Sequence, residues 1–212
     1  MQKVTIDVAP TVKVAPLKTD RRKQVGILGG NFNPVHLMHL IIADQVGQLL
    51  GLDEVRLMPE YLPPHVDAKK TIAPEHRLAM LELAVADNPR LKVEDIEVKR
   101  QGVSYTIETM KLLKEQNPDV DFYFIIGGDM VAYLPKWRQI DELIDLVQFV
   151  GVKRPNYSQE SPYPIIWVDI PQMDLSSSEI RRKIAQGCSA RYFLPDPVLN
   201  YILEKGLYLD EI

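Results

Sequence analysis

The apolar positions of the chain switch repeatedly between short continuous runs and a spacing of three to four. Val25-Gly26-Ile27-Leu28-Gly29-Gly30 is an apolar run ended by two glycines, the form of a buried parallel strand entering a turn. From His36 to Leu50 the apolar residues Leu37, Leu40, Ile41, Val46, Leu49 and Leu50 fall on a helical period that Gly51 closes. Glu54 to Pro59 predicts a second strand, Pro74 to Ala86 a helix facing inward through Leu78, Leu81 and Val85, and Lys92 to Val98 a third strand. Tyr105 to Glu115 predicts a helix, and Phe122 to Ile126 a strand ended by Gly127-Gly128. Ile140 to Asp145, Val147 to Val152, Ile165 to Val168, Ser178 to Gln186 and Pro197 to Glu204 continue the alternation.

Strands separated by helices of ten to fifteen residues predict βαβ units. The expected fold is α/β, a Rossmann-like doubly wound parallel sheet with helices on both faces, in a single domain. Residues 24–212 would form it. Residues 1–23 lack a repeating apolar period and read as an N-terminal extension, with an edge strand over Val4 to Val8 as an alternative. Ligands of such sheets bind beyond the carboxyl ends of the strands, which directs attention to the turns at Gly29-Gly30 and Gly127-Gly128.

Composition narrows the function classes. The 212 residues are 46% hydrophobic and 25% charged, a globular mixture that excludes disorder and collagen. A net charge of −4 has the wrong sign for a nonspecific nucleic-acid or membrane-surface binder, so any phosphate site must be local. Cys188 stands alone, no apolar run of bilayer length occurs, and the segment after Met1 is broken by Asp7, Pro10 and Lys13. A cytoplasmic protein is expected, and a homo-oligomer is compatible with this composition.

The first candidate for chemistry is the stretch from Gly29 to His39, which runs from strand through turn to helix. Glycines let a ligand approach the backbone, and the free amides of a helix start favour an anion. A plain turn, with Asn33 as cap and Pro34 in the first helical position, explains the same glycines. His36 and His39 add donors three residues apart, protonated or hydrogen-bonding, beside those amides. They lack the i, i+4 spacing of a zinc-binding helix, and Gly29-Gly30-Asn31-Phe32 does not fit the dinucleotide pattern G-x-G-x-x-G.

The second candidate is Leu175 to Ile184. Ser176 and Glu179 fit a capping box, which by itself explains a well-started helix. Ser177, Ser178, Arg181 and Arg182 crowd the same helix start, where arginine opposes the helix dipole unless an anion lies near. The third is Gly127-Gly128-Asp129-Met130 with the following Leu134 to Arg138. Asp129 suits a ribose hydroxyl or a hydrated metal, and Trp137 either stacks on a planar ring or packs in the interior. Pro63-Pro64-His65 with Lys69 and Lys70 reads as a basic lid or a solvated loop, and Gly102 to Thr106 as a ligand-facing turn or a helix cap. Cys188 has no histidine nearby and is expected to be inert.

Taken in order, these segments resemble the bacterial nicotinate-nucleotide adenylyltransferases, within the nucleotidyltransferase superfamily marked by H-x-G-H. Gly29-Gly30-Asn31-Phe32-Asn33-Pro34-Val35-His36 is similar to G-G-x-F-x-P-x-H, and Leu175 to Arg181 to I-S-S-T-x-I-R. Narrower likeness lies in Pro63-Pro64-His65, Ser104-Tyr105-Thr106, Gly128 with Leu134 and Trp137, Arg154-Pro155 with Tyr157, and Pro195 with Val198, Tyr201 and Ile202. Met38 stands where H-x-G-H has glycine, Val66 where a lysine is expected, and Ser178 where threonine is.

The resemblance implies transfer of the adenylyl group of ATP to nicotinate mononucleotide, giving nicotinate adenine dinucleotide and pyrophosphate. It implies ATP contacts from Gly29, Gly30, Asn31, Phe32, His36, His39, Ser177, Ser178 and Arg181, with His36, His39 and Arg181 as the catalytic group. It implies mononucleotide contacts from His65, Tyr105, Thr106, Asp129, Trp137 and Arg154, and Mg²⁺ carried with ATP rather than held by side chains. The alternatives are an adenylyltransferase for nicotinamide mononucleotide or phosphopantetheine, and a catalytically silent nucleotide sensor.

Overall fold

The computed structural model describes residues 21–63, 71–154 and 157–210. Strands β1 (Lys23–Gly30), β2 (Glu54–Pro59), β3 (Leu91–Val93), β4 (Val120–Gly127), β5 (Val147–Val152) and β6 (Ile165–Val168) make one parallel sheet, ordered β3-β2-β1-β4-β5-β6. The helices are α1 (Leu37–Leu49), α2 (Pro74–Val85), α3 (Ile96–Arg100), α4 (Thr106–Gln116), α5 (Gly128–Val131), α6 (Ile140–Leu146), α7 (Ser177–Ala185) and α8 (Asp196–Glu204). From a central β1 the described chain winds outward through β2 and β3, then returns to place β4 on the other side of β1.

Alternation along the strands feeds two cores. Leu28, Leu57, Ile125 and Val150 pack with Met38, Ile42 and Val46 of α1, Met80 and Leu81 of α2, Ile180 of α7 and Ile202 of α8. Val25, Ile27, Phe122, Phe124 and Phe149 pack on the opposite face with Ile107, Met110 and Leu113 of α4 and Leu143 of α6. Each strand presents successive side chains to opposite faces, so strands covered on both sides read as continuous apolar runs. The winding reverses between β1 and β4, which opens a crevice beyond their carboxyl ends.

The predicted order of elements stands, with one correction. The strand expected over Lys92 to Val98 ends at Val93, the last partner of Leu57, and α3 replaces the rest. Glu94 N–H still bonds Leu57 O at 3.0 Å, but the Lys99 amide already reaches back to Asp95 O at 2.9 Å. Leu91 and Val93 point to one side of an extended strand and Ile96 and Val98 to the other, so a single strand cannot bury both pairs on one face. Within α3, Glu97 is turned inward, where Thr109 Oγ1 donates to it at 2.7 Å. Before β1, Arg21 pairs with Asp53 and Arg22 with Asp121. The alternative strand at Val4 to Val8 lies outside the described residues.

Candidate active site

β1 ends in Gly29-Gly30, where the backbone must pass close to rings. A Cβ on Gly30 would stand 3.3 Å from the Phe32 ring, and one on Gly29 3.3 Å from Phe124. Phe32 takes a left-handed φ of 47° and is buried, and the Asn33–Pro34 peptide is cis. The helix starts later than a cap at Asn33 would give. His36 is the N-cap of α1, with its own N–H donating to His39 Nδ1 at 3.1 Å.

That bond fixes the chemistry of His39. A neutral imidazole whose Nδ1 accepts carries its proton on Nε2, so His39 presents an N–H donor. The two rings stack with centroids 3.7 Å apart. Burial lowers His36 to about 4, with the Arg154 charge adding to the effect. Burial, His36 and Arg154 hold His39 well below its ordinary value. Both rings are neutral near pH 7, so of the two modes expected from sequence they offer hydrogen bonds rather than positive charge. His36 Nδ1 is buried with no hydrogen-bond partner among the described residues. Met38, the substitute for glycine, is turned into the core.

The distant second signature folds onto this turn. Ser176 caps α7 by accepting from Glu179 N–H at 3.2 Å, the expected half of a capping box. Ser177 Oγ donates to Pro34 O at 2.9 Å, and Arg181 Nη1 to Asn33 O at 2.8 Å. Tyr208 adds a bond from its hydroxyl to Asn33 Oδ1 at 2.8 Å. Ser178 is exposed at the start of α7. The donor of Ser177 is thus spent on the loop, which makes this serine a fastening between the two signatures.

Across the crevice lies a pocket of about 300 Å³, lined by Gly29, Gly30, Glu60, Thr106, Trp137 and Arg138 among others. Trp137 meets Phe124 and Phe149 edge-on, with centroids 5.9 and 6.0 Å away, and leaves its buried Nε1 without a partner among the described residues. It is packed against these rings and also lines the pocket. Tyr105 precedes α4, and Thr106 opens that helix; both line the pocket. The Arg138 guanidinium lies 4.6 Å over the Tyr105 ring.

Asp129, at the tip of β4, pairs with Arg154 Nε at 3.3 Å, and Arg154 is also the charge felt by His36 and His39. His65, Lys69 and Lys70 lie outside the described residues.

Sequence reasoning missed Arg77. It is 1% exposed, and its Nη1 donates to Asn31 O at 3.0 Å, Asn31 Oδ1 at 3.3 Å and Glu60 O at 2.6 Å, locking the ends of β1 and β2 together. The signal was present, since Arg77 falls on the inward stripe of α2 three and four residues before Met80 and Leu81. Glu60 was missed with it; burial and the charge of Glu97 push its carboxyl up to about 7 against the opposing pull of Arg77.

Comparison with known proteins gives this arrangement a family. Residues 27–183 match the cytidylyltransferase-like family model. A protein of Enterococcus faecalis named "Probable nicotinate-nucleotide adenylyltransferase" is 70% identical over 93% of this chain and 90% of its own length. One of the same name from Streptococcus pneumoniae is 63% identical over 91% of this chain and 92% of its own. The same fold occurs in the Plasmodium falciparum nicotinic acid mononucleotide adenylyltransferase complexed with NaAD, with a TM-score of 0.74 at 20% identity over 88% of this chain and 97% of that one. At these identities and coverages the chain belongs to the nicotinate-nucleotide adenylyltransferases, within the cytidylyltransferase-like family.

Proposed function

We propose that the chain transfers the adenylyl group of ATP to nicotinate mononucleotide and that the residues brought together at the crevice carry the transfer. The observation behind this reading is the convergence of the His36–His39 turn with the start of α7 through Ser177 and Arg181, beside a pocket walled by an aromatic ring and a helix start. A phosphate oxygen of the mononucleotide attacks the α-phosphorus of ATP in line. The bond from that phosphorus to the α,β-bridging oxygen breaks, and pyrophosphate leaves with the electron pair. The attacking phosphate is already a nucleophile, so no side chain needs activation, and rate comes from positioning and from stabilising developing charge.

In this reading His39 Nε2–H donates to an α-phosphoryl oxygen, and a neutral donor there adds no charge that would hold the product. His36, the amides around Gly30 to Phe32, Ser178 and Arg181 take the remaining phosphate oxygens. Trp137 stacks on the pyridine ring, Thr106 and Tyr105 meet its carboxylate, and Asp129 with Arg154 meets the ribose and phosphate side; His65 is proposed for the same substrate on sequence grounds. Among the described residues no group of three or more His, Cys, Asp or Glu is placed to hold a metal. Mg²⁺ is proposed to arrive with the ATP phosphates, where it would neutralise charge. Among the described residues no helix is long and apolar enough to cross a membrane, and a cytoplasmic location is proposed with the substrates.

The test is pyrophosphate release with ATP and either mononucleotide. Faster turnover of the nicotinate form supports the substrate, and a clear preference for the amide overturns it. His39→Ala should lower kcat by about 10²-fold, the usual loss for one oxyanion donor, with the fold intact; full activity would remove His39 from the chemistry.

A further inference from the structure

The pocket contains an acid that the transfer reaction leaves unused. Glu60 follows the last residue of β2 and shares the pocket wall with Ser104, Tyr105, Thr106, Trp137 and Arg138. Its backbone is held on both sides, by its N–H donating to Gly30 O at 3.0 Å and by Arg77 Nη1 donating to its carbonyl at 2.6 Å. The Glu60 side chain therefore leaves the backbone from a fixed point, in the same pocket lining as Tyr105 and Thr106, the proposed ring-carboxylate contacts.

The charges around it come from several elements. Glu97 of α3 acts on it as a like charge, buried and bonded by Thr109. Arg77 of α2 opposes that effect. Tyr105 and Arg138 line the pocket too, and the Arg138 guanidinium donates to Glu108 Oε1 at 2.8 Å, with Arg100 on the other oxygen of Glu108 at 3.2 Å. Burial and Glu97 win, so Glu60 titrates at about 7. Near neutral pH the pocket exists with this acid protonated or ionised.

We propose that Glu60 is a specificity-determining residue of the pyridine pocket, donating a hydrogen bond to the ring carboxylate of nicotinate mononucleotide as the neutral acid and repelling that carboxylate once ionised. The inference rests on the proposed substrate. A neutral carboxylic acid donating to a carboxylate makes a short, charge-assisted bond, whereas two carboxylates in one half-buried site repel. An uncharged carboxamide gains nothing comparable from the proton. Discrimination between the two mononucleotides is thus strongest where Glu60 is protonated.

The experiment measures KM by pyrophosphate release, and Kd by calorimetry, for nicotinate and nicotinamide mononucleotides with the full chain from about pH 6 to about pH 9, a range spanning the titration. The nicotinate constants should rise about tenfold across it, the equivalent of one such interaction, while the amide constants stay level and kcat changes less than KM. In Glu60→Gln the nicotinate constants should become level too. A ratio of nicotinate to amide constants that does not move with pH in the wild type overturns the proposal, and that ratio needs no variant. A Glu60→Gln protein that keeps the wild-type rise overturns it as well. Absence of pyrophosphate release from the nicotinate form at every pH is a different result, and overturns the proposed reaction itself.

Discussion

The two ends of the crevice are built on opposite principles. At the histidine turn, titratable groups are stripped of charge by burial, and the geometry is fixed by side chains from 143 to 175 residues away in sequence, Ser177, Arg181 and Tyr208, all bonded to Asn33 or Pro34. At the pocket, Glu60 keeps a proton in play near neutral pH between aromatic rings and a helix start. The difference follows from what each end is proposed to hold. A triphosphate brings its own large charge and is best met by fixed dipoles, whereas two pyridine rings that differ by one small group are told apart only by a site whose polarity is specific.

Arg77 is the joint between the two ends, and breaking it gives the largest expected effect. Its guanidinium is buried and ties Asn31 to Glu60, so Arg77→Met leaves carbonyl oxygens at both strand ends without their donor. The variant should lose about 3 kcal/mol of unfolding free energy in urea and raise KM for both substrates. A variant that altered only one KM would show that the two ends are independent of this residue.

The opposite charge rules give opposite pH slopes. His36 in the folded chain titrates at about 4, below its ordinary 6.5, so the unfolded chain takes up the extra proton as pH falls between them. Its contribution is present above about pH 6.5 and is lost on acidification toward pH 4, by up to about 3 kcal/mol. Glu60 titrates above its ordinary 4.5, so ionising it opposes folding as pH rises from 4.5 toward 7. Measured against pH, the stability difference between wild type and His36→Asn should shrink on acidification, and Glu60→Gln should gain on wild type as pH rises. Slopes of the same sign would erase the contrast.

The histidine end was readable in the sequence because its chemistry lies in contiguous stretches, where glycines, a proline and two histidines at a strand-to-helix turn constrain one another. The winding of the sheet was readable for a related reason, since buried parallel strands are continuous apolar runs. What could not be read was which partners a buried charged residue finds. Glu97 is buried by a bond from Thr109 of α4, a partner twelve residues on that the strand-like pattern around it does not reveal. Arg77 falls on the apolar stripe of α2, but its partners, the carbonyls of Asn31 and Glu60 and the Asn31 side chain, are set by how the strand ends meet and not by any residue pattern. Glu60 depends on both. The partners of Asn33 were equally hidden, because a hydrogen bond spanning 175 residues leaves no local trace.

A smaller effect tests the pocket alone. Trp137→Ala removes the ring proposed to stack on the pyridine and should raise KM for the mononucleotide about tenfold, within the range for one lost base stack, with KM for ATP unchanged. Trp137→Phe should recover part of it, because the edge contacts to Phe124 and Phe149 admit another ring. A matching rise in the ATP constant would mean that Trp137 supports the whole crevice rather than one substrate.

The smallest change probes how far the histidine turn depends on its remote fastenings. Tyr208→Phe deletes one hydroxyl, whose bond to Asn33 Oδ1 is buried at 2.8 Å, and keeps the ring packed in the first core. One neutral hydrogen bond contributes about 1 kcal/mol to stability, so a comparable drop in urea unfolding free energy is expected. Asn33 O is still held by Arg181, and Pro34 O by Ser177, so the turn keeps most of its geometry. KM for ATP should therefore rise only a few-fold and KM for the mononucleotide should not move, since an interaction of about 1 kcal/mol corresponds to less than a tenfold change. Ser177→Ala added to Tyr208→Phe distinguishes shared from separate support. Two fastenings of one rigid turn should lose more together than the sum of their single losses, because residues sharing one loop are not independent. Additive losses would instead make each bond a private anchor, and the fixed geometry ascribed to this end would then rest on Arg181 alone.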